Sequence, residues 1–162
     1  MRLAIHLAAV LLLATVAPVQ AQTGDEAEIR ALIETFRTAI IAKDAAALAK
    51  LQADDRITFM SSIDEATLKR LRPTAPGAER TEVGSFGDFI IYVTVSKDQL
   101  EERFFNVMIQ TDGTIASVYF DYEFLENGVV TNSGRESWGM IQTDDGWKIA
   151  SIIYSIGIPE TP

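Results

Sequence analysis

The chain has no cysteine, and its one histidine is His6. The first absence removes disulfides, thiolate nucleophiles and Cys-ligated metals. The second matters because His6 lies in an N-terminal stretch that reads as a secretory signal peptide, so neither residue type is expected in the mature protein. Ser-His-Asp and Cys-His catalysis, His-ligated zinc and the His facial triad are thereby excluded. Acid–base chemistry is left to Asp, Glu, Lys or Tyr. Positive charge is also scarce: 14 Lys and Arg against 23 Asp and Glu give a formal charge of −9. That balance argues against nucleic acid or an anionic membrane surface as a partner. No metal site and no cofactor are expected.

The leader consists of Arg2, an apolar run from Leu3 to Ala17, and the small-residue pattern Val19-Gln20-Ala21. Cleavage is expected after Ala21, with a periplasmic or secreted product and no membrane attachment once the leader is gone. The run is short for a membrane anchor. Residues 22–162 are then expected to form one domain, long enough for its own core.

That domain is organised around Glu101 to Ile158. Asp112-Gly113, Asn127-Gly128 and Asp145-Gly146 are hairpin dipeptides that tolerate positive φ. They separate β-branched and aromatic runs, Phe104–Ile109, Ile115–Leu125, Val129–Ile141 and Trp147–Ile158. A four-stranded antiparallel meander follows. Upstream, Ile29, Leu32, Ile33, Phe36 and Ile40 recur at helical spacing, which predicts a helix over 25–42, opened by a Thr23/Glu26 capping box. Asp44 is the N-cap of a short Ala-rich helix through Leu51. Ile57–Met60 reads as a strand. Residues 61–84 hold Pro73, Pro76 and Gly77 and read as irregular, with a basic cluster of Lys69, Arg70 and Arg72 on a solvated loop. Phe86–Val95 is β-branched, yet Phe86, Phe89, Ile90 and Val93 follow helical periodicity behind a Ser85/Asp88 cap, which predicts a helix.

Two-residue loops throughout would place Arg103 opposite Tyr122, Tyr122 opposite Ser133, Phe120 opposite Arg135 and Ser137 opposite Tyr154. One face then carries Val107, Val118, Phe120, Phe124 and Ile152, with Arg103, Tyr122, Ser133, Arg135 and Tyr154 among them. This face is expected to lie under the helices. The two arginines on it must meet a partner, because an unpaired buried guanidinium costs about 3–5 kcal/mol. The candidate ligand site is therefore Arg103, Tyr122, Ser133, Arg135 and Tyr154, suited to a small anion or carboxylate. Internal pairing of the arginines, for instance with Glu101, is the structural alternative. The opposite face carries Glu102, Asn106, Asp121, Glu123, Asn132 and Glu136, with Phe104, Tyr119, Trp138 and Ile153. Its aromatics suggest a subunit interface, and Asp121 with Glu123 are a weaker acid–base candidate.

The segment Glu126–Ser155, ENGVVTNSGRESWGMIQTDDGWKIASIIYS, resembles the C-terminal signature of the nuclear transport factor 2 superfamily, in its exported SnoaL-like and lumazine-binding groups. DDGWKI (Asp144–Ile149) is its most diagnostic part, and GTIASVYFDYEF (Gly113–Phe124) matches the preceding strand. The resemblance implies an α+β cone: N-terminal helices packed in a curved, mostly antiparallel sheet that closes a cavity. It implies that Phe86–Val95 is the third helix and that the sheet supports a homodimer. It implies either a non-catalytic binding module or an isomerase, cyclase or lyase. Relatives often carry a histidine where Asn132 stands, so His-dependent chemistry does not transfer. A small-molecule-binding domain is the first expectation. A lyase or isomerase with a carboxylate base, or a non-catalytic dimeric interaction module, is the alternative.

Overall fold

The computed structural model describes residues 24–160. The leader expected over 1–21, and Thr23 of the expected capping box, lie outside the described residues. α1 spans Gly24–Ala42 and buries Ile29, Leu32, Ile33, Phe36, Ala39 and Ile40. The helical spacing of those residues thus forms a single apolar stripe. Asp25 and Glu26 in its first turn suit the positive end of the helix dipole. α2, Ala45–Ala49, is capped as expected by Asp44, whose side chain accepts from the Ala47 amide at 2.9 Å.

β1 (Thr58–Ile63) is followed by α3 (Glu65–Leu71) and β2 (Thr81–Gly84), so the stretch read as irregular holds two elements. Asp64 caps α3 by accepting from the Thr67 amide at 2.7 Å. The basic cluster lies at the end of this helix, where Arg70 donates to the Ile158 carbonyl. α4, Phe86–Val95, is helical as its periodicity predicts, with Ser85 as N-cap. It is the fourth helix rather than the third, because α3 precedes it.

β3 (Leu100–Thr111), β4 (Ile115–Glu126), β5 (Val129–Thr143) and β6 (Gly146–Ile156) form the expected meander. The whole sheet runs β2-β1-β6-β5-β4-β3, and β1 joins β6 in parallel. The class is α+β, with the helices packed on the concave side of a mixed sheet. Phe36 of α1 anchors the core: its ring centroid lies 5.0 Å from Trp138 and 5.9 Å from Phe89.

Only the Asn127-Gly128 loop has two residues with both φ angles positive, 52° and 79°. The Asp112 loop holds four residues, since Thr111 pairs with Ala116. The last hairpin turns on Asp144-Asp145, since Thr143 pairs with Gly146. Each hairpin also contains one bulge, between Phe105 and Met108, between Phe124 and Leu125, and between Gly139 and Met140. The extra residue in a bulge reverses which side chains point inward beyond it.

The first bulge is marked chemically. Asn106 has φ 53°, and its side chain donates to Asp121 Oδ2 at 2.6 Å. Asparagine enters this left-handed region readily, whereas a β-branched residue does not. Asn106→Val is expected to cost about 1–2 kcal/mol, and Asn106→Gly much less, as measured by urea unfolding. Equal costs for the two variants would mean that the bulge does not set the strand's register.

Candidate active site

The bulges decide which face of the meander is enclosed. Leu100, Glu102 and Phe104 of β3 point inward before the bulge, and Val107 and Ile109 after it. On β5 the inward set is Glu136, Trp138 and Met140. The grouping of Glu102 and Glu136 with Phe104 and Trp138 on one face was legible. These four residues of β3 and β5 point to the enclosed side, whereas Asp121, Glu123, Tyr119 and Ile153, expected on the same face, do lie outside; Trp138 is core with no exposed surface.

Arg103 and Arg135 are therefore corrected: they point outward. Arg103 forms a two-pronged pair with Glu101, at 2.9 and 3.0 Å, with its side chain 45% exposed. Arg135 lies 67% exposed and donates to Asp121 Oδ1 at 3.1 Å. The physical reason is register. Arg103 precedes the first bulge and Arg135 follows the second, so each is turned by one residue from its expected side. Ser133 is corrected likewise. It lines a shallow outer groove with Asp121 and Arg135, and its backbone bonds Gly157. Asp121 and Glu123 line this same outer groove, as expected. Tyr122 and Tyr154 do face inward, with ring centroids 6.2 Å apart.

They line a cavity of about 260 Å³. Its walls are Phe36 of α1, Phe59 of β1, Phe89 and Tyr92 of α4, Tyr122 and Phe124 of β4, and Tyr154 and Ile156 of β6. Glu102 of β3, Glu126 of β4, and Asn132 and Glu136 of β5 supply its polar groups. No Lys or Arg is part of this lining.

Glu102 and Glu136 define the chemistry. Each is 5% exposed, and their side chains hydrogen-bond to each other across the face of β4. Burial pushes Glu136 up to about 7, partly opposed by hydrogen bonds from Trp138 and Glu102. The Trp138 indole N–H donates to Glu136 Oε1 at 2.6 Å. Burial, together with the negative charge of Glu136, pushes Glu102 well above the usual carboxylate range. Both carboxyls are thus held above the usual carboxylate range, so the pair retains a proton toward neutral pH. Two carboxyls that share a proton can take one and give one.

The tyrosines remain protonated donors. Burial, then the charges of Glu136 and Glu102, raises the Tyr122 hydroxyl. It lies 3.0 Å from Asn132 Oδ1 and 2.9 Å from the Ser155 carbonyl. Tyr154 is pushed up to about 12 by burial and by Glu136, a hydrogen bond with Ser61 opposing. Tyr92, raised by burial and by its bond to Glu126, donates to Glu126 Oε1 at 2.6 Å. Gly134 lets the end of β6 close on β5: a Cβ there would lie 2.1 Å from the Ser155 carbonyl. That carbonyl is the one Tyr122 uses, so the close approach helps to fix the phenol.

Sequence reasoning missed Glu102, Glu136 and Asn132 as cavity residues. For Glu102 the available signal was Asn106, the residue type that most tolerates a bulge's left-handed backbone; nothing comparable marked the bulge on β5 that turns Asn132 and Glu136 inward.

No family model matches the sequence, and no curated protein matches it. Solved structures do. An NTF2-like protein from Cytophaga hutchinsonii is 15% identical, with a TM-score of 0.62 over 83% of this chain and 100% of that one. An NTF2-like protein of unknown function from Pseudomonas putida is 14% identical, with a TM-score of 0.62 over 85% and 96%. An NTF2-like protein with a cystatin-like fold from Novosphingobium aromaticivorans is 15% identical, with a TM-score of 0.59 over 82% and 81%. At these identities the likeness is one of fold.

Proposed function

We propose that this chain, which has the nuclear transport factor 2-like fold, binds a small molecule in its aromatic cavity and moves a proton on it, in the manner of an isomerase or lyase. The observation that carries this reading is the hydrogen-bonded pair Glu102 and Glu136, almost fully enclosed at the wall of that cavity. Glu136, whose ionised form the Trp138 indole N–H favours, is the base that takes a C–H proton. Glu102 is the acid that returns one to the developing oxyanion or leaving group. Tyr154 orients the substrate through its hydroxyl, and Tyr122, whose hydroxyl is held by Asn132 and the Ser155 carbonyl, walls the site. The arginines that first suggested an anionic ligand face away from the cavity, so an anion has no counter-charge there.

The test is a screen of small carbonyl compounds in D₂O by NMR. At least one compound is expected to exchange its α-proton, at a rate lowered roughly 10²–10⁴-fold in Glu136→Gln. Exchange no faster with the wild type than with the Glu102→Gln/Glu136→Gln double variant would remove the proposal.

Export and self-association complete the reading. The leader supports a periplasmic or secreted protein, which N-terminal sequencing of the exported product tests: a mature chain beginning at Gln22 is expected. Phe105, Met108, Tyr119 and Ile153 are 38–57% exposed on the outer sheet face. They support pairing with a second copy, and sedimentation that finds only monomer at high concentration would remove that part.

A further inference from the structure

We infer that the molecule held in this cavity carries a positively charged nitrogen: it is a small organic ammonium compound. The inference rests on the reading of the cavity as a proton-transfer site and names the substrate class for it.

The argument starts from charge. Three carboxyl groups, those of Glu102, Glu126 and Glu136, line one largely aromatic cavity. Glu136 accepts from the Trp138 indole and from Glu102, both of them neutral donors. No lysine or arginine belongs to the lining, so among the described residues no counter-ion is supplied there. A buried ion without an opposite charge is costly. Of the three, Glu126 is held by Tyr92 from α4. An anionic ligand would be repelled by this lining, and a neutral one would leave the buried charge uncompensated. An ammonium group offsets it and donates N–H bonds to the carboxylate.

The walls select the same class. Seven aromatic side chains line the cavity. Phe59 and Tyr154 meet at 5.4 Å between centroids, and Phe59 and Phe89 at 5.9 Å. Aromatic ring faces attract cations, most strongly where water is excluded. Rings combined with carboxylates and lacking basic residues form a lining suited to an amine and poorly suited to an acid. The net charge of −9 favours approach of a cation as well. The cavity volume of about 260 Å³ limits the ligand to a small molecule, of the size of a substituted benzylamine.

The test uses three probes of one shape, benzylammonium, benzyl alcohol and benzoate, titrated calorimetrically against the full chain at pH 7.5. Benzylammonium is expected to bind at least 10-fold tighter than benzyl alcohol, with benzoate weakest. Glu136→Gln should reduce that preference to about threefold or less. Glu126→Gln, at a partly exposed position that does not threaten folding, should reduce it by a smaller factor. Binding of benzyl alcohol as tight as that of benzylammonium overturns the ammonium assignment and leaves the proton-transfer reading standing. A preference for benzylammonium unchanged in both variants overturns it too, since the selectivity then lies elsewhere. If no probe binds, the ammonium assignment and the reading of the cavity as a ligand site fall together.

Discussion

Folding stability is expected to fall as pH rises from about 5 to about 8, and the fall should vanish when Glu102 and Glu136 are both replaced by glutamine. In the unfolded chain a glutamate releases its proton near pH 4.3. In the folded protein burial holds Glu136 protonated up to about 7 and raises Glu102 well above the usual carboxylate range. Across that interval the folded state binds more protons than the unfolded state. Stability therefore decreases with rising pH. The contribution is complete below about pH 4.3 and is lost as pH passes the folded-state value. For Glu136 alone the shift corresponds to a few kcal/mol, given about 1.4 kcal/mol per pH unit.

The groups facing the pair reinforce this direction. Tyr122 and Tyr154 stay neutral throughout, and no Lys or Arg in the lining opposes it. Exposed carboxylates held low by neighbouring donors, such as Asp121 beside Asn106 and Arg135, act the other way, but only at more acidic pH. Urea unfolding at pH 5, 6.5 and 8 reads the result. Parallel curves for the wild type and the double glutamine variant would contradict it.

Trp138 carries the second large effect, because it serves packing and charge together. It has no exposed surface and packs against Phe36 at 5.0 Å and Phe120 at 5.2 Å. Trp138→Ala is expected to cost about 3–5 kcal/mol, as for other large aromatic deletions. Trp138→Phe retains much of the packing but removes the indole N–H that Glu136 accepts. Loss of a hydrogen bond to a charged group costs about 1.5–3 kcal/mol. That part should appear at pH 8, where Glu136 is ionised, and shrink at pH 5, where it is protonated. The variant should also raise the protonation midpoint of Glu136 above about 7, since the Trp138 bond opposes the effect of burial. Urea unfolding at both pH values separates the two contributions. An equal cost for Trp138→Phe at pH 5 and 8 would mean that the indole serves packing alone.

The helices and the meander were legible because their signals are local. The stripe of α1, the Asp44 cap, and the cap and periodicity of α4 each lie within a few residues. The parallel pairing of β1 with β6 joins residues some ninety apart, as Thr58 with Ser151, and no local pattern announces it. α3 escaped because Pro73, Pro76 and Gly77 outweighed the Asp64 cap just upstream. The site failed for a narrower reason. Side-chain direction in a strand has period two, so one extra residue turns every later side chain over. The first bulge accounts for Arg103, and the second, at Thr131, for Ser133, Arg135 and Glu136. Asn106 was the only bulge residue of a type that advertises the conformation; Thr131 is of a type common in strands. The same reversal brought Glu102 and Glu136 inward, so the cavity traded a cationic lining for an acidic one.

Carbon-13 NMR of glutamate side-chain carboxyls, followed from pH 4 to 9, tests the shared proton most directly. Two resonances, assigned by their disappearance in Glu102→Gln and Glu136→Gln, should titrate well above the rest, that of Glu136 at about 7. Complete ionisation of every glutamate by about pH 5.5 would contradict the existence of the buried acid–base pair.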